Sequence, residues 1–109
     1  MKKIYLASDS KARRKLFEVF GLKFKVMPSS VKEERVNKHS SYAGLVKTNA
    51  LEKALSVAKR VKDAVIIAAD TIVVQDKRIF GKPKDLRDAR KMLKRVSAKP
   101  QWLYTGLAV

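Results

Sequence analysis

The chain has 109 residues, and its 26 Lys and Arg side chains against 10 Asp and Glu give a formal charge of +16. A hydrophobic fraction of 46% excludes a disordered basic tail, and the longest apolar run, at residues 64–69, is much shorter than the ~20 residues of a membrane span. The absence of cysteine excludes a disulfide framework and a thiolate metal site. We therefore expect a single cytoplasmic domain over residues 1–109 whose partners are anionic.

Apolar periodicity and capping residues divide the chain into alternating strands and helices. In chain order the predicted elements are strand 3–8, helix 11–20, strand 24–27, a helix from residue 40 or 41 to 60, strand 64–69, strands 72–75 and 79–80, helix 85–97 and strand 102–109. Ser10 and Asp85 are placed to cap the helices that follow them. The middle helix has an apolar stripe, predicted to be its buried face, formed by Ala50, Ala54, Val57, Ala58 and Val61. This alternation predicts an α/β fold with a mixed sheet flanked by helices.

A carboxylate, Asp70, directly follows the apolar run at residues 64–69. Because the carboxyl ends of strands face the ligand crevice in open α/β sheets, this position would direct a negative charge at a binding site. An Asp in this position is equally well explained as a residue that caps a turn through its side chain. The residues alone leave both interpretations open.

Small hydroxyl residues separate the first predicted strand from the first predicted helix. Ser8 and Ser10 precede a helix start, where free backbone N–H groups attract phosphate, and Arg13 in the first turn could bind such a phosphate bidentately. Ser at a helix start and Arg on a helix surface are also ordinary structural choices. The segment is therefore a candidate phosphate site that needs support from elsewhere in the sequence.

Three further charged residues are candidates. Lys53 lies one helical turn after Asn49, beside the alanine stripe, where it either points into a site or extends its side chain to solvent. Lys82 lies in the short segment Gly-Lys-Pro, a rigid platform for a positioned cation. Glu33 is most simply a solvated loop charge. The sequence contains neither a P-loop nor the dinucleotide fingerprint GxGxxG.

In this order, the segments resemble the Maf family of nucleoside triphosphate pyrophosphatases, over the whole chain. The matching segments are residues 6–10 (LASDS) with Arg13, 49–54 (NALEKA), 69–74 (ADTIVV), 81–83 (GKP), the helix that carries Ala89, Met92 and Leu93, and 105–109 (TGLAV). The resemblance implies an inosine-triphosphatase-like fold. Family members are longer, so the resemblance also predicts a chain that is truncated at its C-terminus relative to the family.

The resemblance implies hydrolysis of (d)NTPs, such as dTTP, UTP or modified nucleotides, to the monophosphate and pyrophosphate, and an association with septum formation. The residues that match the family's functional positions are Ser8, Arg13, Glu33, Lys53, Asp70 and Lys82. Arg13, Lys53 and Lys82, helped by the turn from Ser8 to Ser10, would then screen the triphosphate charge.

The two carboxylates, Asp70 and Glu33, would on the same resemblance bind Mg²⁺ or another divalent cation, and Asp70 would orient the attacking water. The sequence departs from the family at residues 10–13 (SKAR), where the family usually has Ser-Pro-Arg-Arg. Arg14 is a partial substitute, although it points about 100° around the helix from Arg13.

An alternative interpretation assigns no catalysis to the chain. A catalytically impaired fragment could bind nucleotides or, through its charge of +16, nucleic acid. It could also form a homodimer by pairing an open edge of its sheet. The exposed basic residues of the last helix are most simply a solvated face, formed by Arg87, Arg90, Lys91, Lys94 and Arg95.

Overall fold

A computed structural model describes residues 2–31, 41–81 and 83–109. Within these residues, five strands and three helices follow in the order β1 (Lys3–Leu6), α1 (Lys11–Val19), β2 (Lys25–Val26), α2 (Tyr42–Ala58), β3 (Ala64–Gln75), β4 (Arg78–Phe80), α3 (Leu86–Ala98) and β5 (Trp102–Ala108). The predicted α/β architecture, a mixed sheet flanked by helices, is confirmed.

The sheet is organised around β3, which changes both its partner and its direction of pairing along its length. Four strands follow in the order β2-β1-β3-β4, and β5 pairs with β3 outside this path. The first residues of β3 pair in parallel with β1, ending at the pair Leu6 and Ile67. The remainder of β3 pairs antiparallel with β4 and β5. The central strand therefore joins a parallel half of the sheet to an antiparallel half.

One sequence prediction about β3 is wrong. The polar pair Asp70 and Thr71 was expected to end one strand before a second began, but β3 is a single strand of 12 residues. The ladder continues because Asp70 pairs with Gly106 and Thr71 with Thr105 of β5. Asp70 nevertheless lies beyond Ile67, the last β3 residue paired with β1, so it follows the carboxyl end of the parallel half.

The three helix starts agree with the capping residues. Side chains of Ser10, Ser41 and Asp85 accept hydrogen bonds from the backbone N–H three residues further on, at 3.4, 3.0 and 2.8 Å. These bonds satisfy N–H groups that have no partner within the helix. Gly21, with φ of 70°, follows α1 in the left-handed conformation that glycine adopts readily at a helix end.

The core lies between α2 and the sheet, and it contains polar as well as apolar side chains. The buried side chains of α2 are Leu45, Val46, Asn49, Ala50, Lys53, Ala54 and Val57. Ala58 is exposed, so its assignment to the buried stripe is wrong. Ala58 is the last residue of α2, at the end of the packed face. An amide and an ammonium group therefore lie in the middle of the packed face.

Several apolar side chains remain outside this core. Neither α1 nor α3 has a buried residue, and β5 exposes Trp102, Leu103 and Leu107 at 69%, 65% and 66%. Within the described part of the chain, β5 pairs with β3 alone, so its second edge faces outward.

Gln75, at the end of β3, holds the end of α3. Its Nε2 donates hydrogen bonds to the carbonyl oxygens of Arg95 and Lys99, at 2.8 and 2.9 Å.

Gly106 marks the closest approach between β5 and α2. A Cβ atom at this position would lie 2.6 Å from the backbone nitrogen of Lys47 and would also collide with the carbonyl of Val46. We expect Gly106→Ala to lower the free energy of unfolding by about 1–3 kcal/mol, the usual effect of overpacking, as measured by urea denaturation. Gly81→Ala is the control, because nothing lies within 4 Å of its Cβ position. Equal losses in both variants would contradict this prediction.

Candidate functional site

The site is centred on Asp70, whose side chain is only 2% exposed. Asn49 of α2 is equally buried, and its Nδ2 donates a hydrogen bond of 2.8 Å to Asp70 Oδ2. A buried carboxylate is strongly unfavourable unless hydrogen bonds or opposite charges compensate it. The interpretation of Asp70 as a turn cap is therefore wrong, because the residue lies within a strand and faces the helix that packs on it.

Lys53 is the second charged group of the site. It lies one helical turn after Asn49, and its Nζ donates to the carbonyl oxygen of Ala69 at 2.9 Å. The residue is 6% exposed, so its side chain does not extend to solvent as one interpretation of the sequence allowed. The ammonium group is thus held beside the residue that precedes Asp70.

Arg13 reaches the same point of β3 from α1. Its Nη1 donates to the carbonyl oxygen of Ala69 at 3.1 Å and its Nη2 to Thr71 Oγ1 at 3.0 Å. Because Lys53 Nζ binds the same carbonyl oxygen, the two cationic nitrogens lie within about 6 Å of each other, close enough to destabilise one another unless negative charge lies nearby. Two helices therefore bring positive charge to one carbonyl, next to a buried carboxylate.

Hydroxyl side chains lie beside this centre and in the turn before α1. Thr71 Oγ1 also shares a hydrogen bond of 2.9 Å with Thr105 Oγ1 across β3 and β5. In the turn before α1, Ser8 is 3% exposed, and its Oγ accepts a hydrogen bond from the backbone N–H of Ser10 at 3.0 Å. The Ser8 and Ser10 hydroxyls thus shape the turn that leads into α1 and positions Arg13.

The structure brings together part of the predicted site and adds residues to it. Among the predicted residues, Arg13, Lys53 and Asp70 converge, with Ser8 and Ser10 in the turn before α1. Glu33 and Lys82 lie outside the described residues. Further participants are Asn49, Thr71 and Thr105. The sequence did contain a signal for Asn49, because an Asn within an apolar helix stripe is predicted to be buried and a buried amide requires a hydrogen-bond partner.

The described residues contain no group of three or more His, Cys, Asp or Glu side chains able to hold a metal ion. Asp70 supplies one carboxylate, and Mg²⁺ is commonly bound by one or two carboxylates together with substrate phosphates. A single carboxylate is therefore compatible only with an ion that is shared with a phosphate ligand.

Membrane insertion is a question separate from the site. Within the residues described, none of the helices is long and apolar enough to cross a membrane.

Comparison with known proteins identifies the family. Residues 3–109 match the family described as "Maf-like protein", so the chain belongs to the Maf family, as the sequence motifs predicted. It is 44% identical over 109 residues to the dTTP/UTP pyrophosphatase of Bacillus cytotoxicus. It is 44% identical over 108 residues to the dTTP/UTP pyrophosphatase of Dictyoglomus turgidum, and 42% identical over 109 residues to that of Bacillus cereus.

These alignments cover 99% to 100% of this chain but only 53% to 56% of each relative. The chain therefore spans about half the length of the curated relatives that it matches. The segments around Arg13, Lys53 and Asp70 all fall within the shared part.

Proposed function

We propose that the chain carries the phosphate-binding and hydrolytic centre of a nucleotide pyrophosphatase that converts dTTP or UTP, and modified nucleotides, to the monophosphate and pyrophosphate. The observation that carries this proposal is the convergence of Arg13 and Lys53 on the Ala69 carbonyl, next to the buried Asp70. The substrate class is supported by relatives that are 42% to 44% identical and are named dTTP/UTP pyrophosphatase.

The two cations would neutralise the polyphosphate. A triphosphate carries about four negative charges, and phosphoryl transfer depends on positioned positive charge that screens them. A guanidinium has five N–H donors. Arg13 can therefore remain tethered to Ala69 and Thr71 while other donors bind phosphate. Lys82 would add a third cation, as the family motif suggests.

Asp70 would direct the chemistry. It would hold Mg²⁺ with the phosphate oxygens, together with Glu33, and the bound ion supplies charge stabilisation to the reacting phosphoryl group. Asp70 would also accept a hydrogen bond, and then a proton, from the attacking water. The water oxygen forms a bond to the α phosphorus while the bond from that phosphorus to the bridging oxygen breaks, and pyrophosphate leaves with the electron pair.

A panel of nucleoside triphosphates tests this function directly. With Mg²⁺ present, we expect pyrophosphate to be released from dTTP and UTP faster than from ATP or GTP, and we expect chelation by EDTA to stop the reaction. Chromatography of the products distinguishes cleavage between the α and β phosphates from loss of the terminal phosphate. Absence of pyrophosphate from every nucleotide, or release of inorganic phosphate only, would contradict the proposal.

A second candidate property is self-association, favoured by the outward edge of β5. Exposed apolar edge strands are templates for pairing, and a Lys on such an edge opposes it. We expect Leu107→Lys to weaken dimer formation at least about tenfold, as measured by analytical ultracentrifugation. Val19→Lys is the control, since Val19 is exposed and belongs to α1, not to β5. A parent protein that stays monomeric at every concentration would contradict a homodimer.

A further inference from the structure

We propose that Asn49 is a positioning residue that fixes the Asp70 carboxylate for its reaction with water; this inference rests on the proposed function. Asn49 is 2% exposed on the packed face of α2, where its neighbours along the helix are the buried apolar residues Leu45, Val46 and Ala50. An apolar side chain of similar size would suit such a surface better, since burial of an amide is unfavourable without a partner. The amide is compensated by Asp70.

The hydrogen bond from Asn49 to Asp70 restrains the rotation of the carboxylate. Nδ2 binds Oδ2 at 2.8 Å, so this oxygen of the carboxylate is restrained relative to α2. The helix itself is held in place, because Gly106, the β5 residue paired with Asp70, allows the sheet to contact the α2 backbone. The backbone that carries the amide is therefore held close to the strand that carries Asp70.

The choice of an amide also suits the local charge. Arg13 and Lys53 already supply positive charge at Ala69, the residue before Asp70, and an amide at position 49 adds a hydrogen-bond donor without adding charge. A carboxylate at position 49 would repel Asp70, and an alkyl group would leave Oδ2 without this donor. A neutral donor orients Asp70 and leaves its negative charge to act on water or metal.

Asn49→Leu removes the donor with little change in size. Groups that orient a reacting carboxylate typically change activity by about 10–100-fold when replaced. We expect kcat for pyrophosphate release from dTTP and UTP to fall by that factor, with KM changed less than about twofold because the phosphate-binding cations are retained. Asn49→Ser, which keeps a shorter donor, should have an intermediate kcat. Circular dichroism establishes the temperature range in which both variants are folded.

The side-chain amide of Asn49 provides a readout that does not depend on catalysis. Its NMR signals, assigned by their loss in Asn49→Leu, should shift in Asp70→Asn, in which the charged acceptor is replaced by a neutral one. Folded Asn49→Leu with the parent kcat, or with only a raised KM, would overturn this inference and leave the proposed function intact. A parent protein that hydrolyses no nucleotide would overturn the proposed function, and the inference with it.

Discussion

Asp70→Asn is expected to reduce pyrophosphate release by about 10²–10⁴-fold, the range associated with a lost general base. The substitution keeps the shape of the side chain but removes the negative charge and the proton acceptor. The amide oxygen of the new residue can still accept the hydrogen bond that Asn49 donates, so the packing of α2 on β3 is retained. Steady-state kinetics with dTTP measures the loss of activity, and urea denaturation checks that the stability of the fold is retained.

Asp76→Asn is the matched control for this experiment. Asp76 is exposed in the turn between β3 and β4, has φ of 51°, and contacts Lys99 at 3.2 Å. Asn tolerates this left-handed conformation, so the fold is preserved. Its activity should equal that of the parent. If folded Asp70→Asn were as active as Asp76→Asn, Asp70 would be neither the base nor an essential metal ligand.

The helices of this chain were predictable because their signals are local. The caps at Ser10, Ser41 and Asp85 each act within three residues of sequence. The continuity of β3 was not predictable in this way. Asp70 and Thr71 interrupt an apolar run, and only their pairing with β5 carries the strand through them. That partner lies more than 30 residues away, so no local pattern contains the information.

The same distinction applies to the site. Arg13, Lys53 and Asp70 were found through motifs, although none of their partners could be read from the sequence. Thr71 and Thr105 were missed because a cross-strand hydroxyl pair exists only in one register of β3 and β5. A shift by one residue would send these side chains to opposite faces. The chemistry of the motifs is thus encoded locally, but the geometry that makes a site depends on long-range pairing.

The location of the site follows from the change of pairing in β3. Residues 64–67 pair with β1 in parallel, and Asp70 lies just beyond, where the strand pairs with β5. At this junction the turn after β1 leads into α1, which carries Arg13, while α2 lies on the sheet and carries Lys53. A carboxylate on the central strand can therefore meet cations from two different helices.

Lys53→Met is the second substitution with a large expected effect. Met retains the length and apolar stem of the side chain but removes the ammonium group, so packing on Ala69 is preserved and the charge is lost. We expect kcat/KM for dTTP to fall by about 10²–10³-fold, comparable to the removal of one preorganised electrostatic group. Inhibition by inorganic pyrophosphate should weaken in parallel, because Lys53 acts on the phosphates and not on the base.

Lys47→Met on the same helix separates this local effect from the overall charge. Lys47 is exposed, and its loss changes the net charge by the same amount. If attraction of the substrate by the charge of +16 were decisive, both variants would lose activity equally and added salt would erase the difference from the parent. A buried ammonium group at the Ala69 carbonyl is screened little by salt, so the loss in Lys53→Met should persist at high ionic strength while Lys47→Met matches the parent.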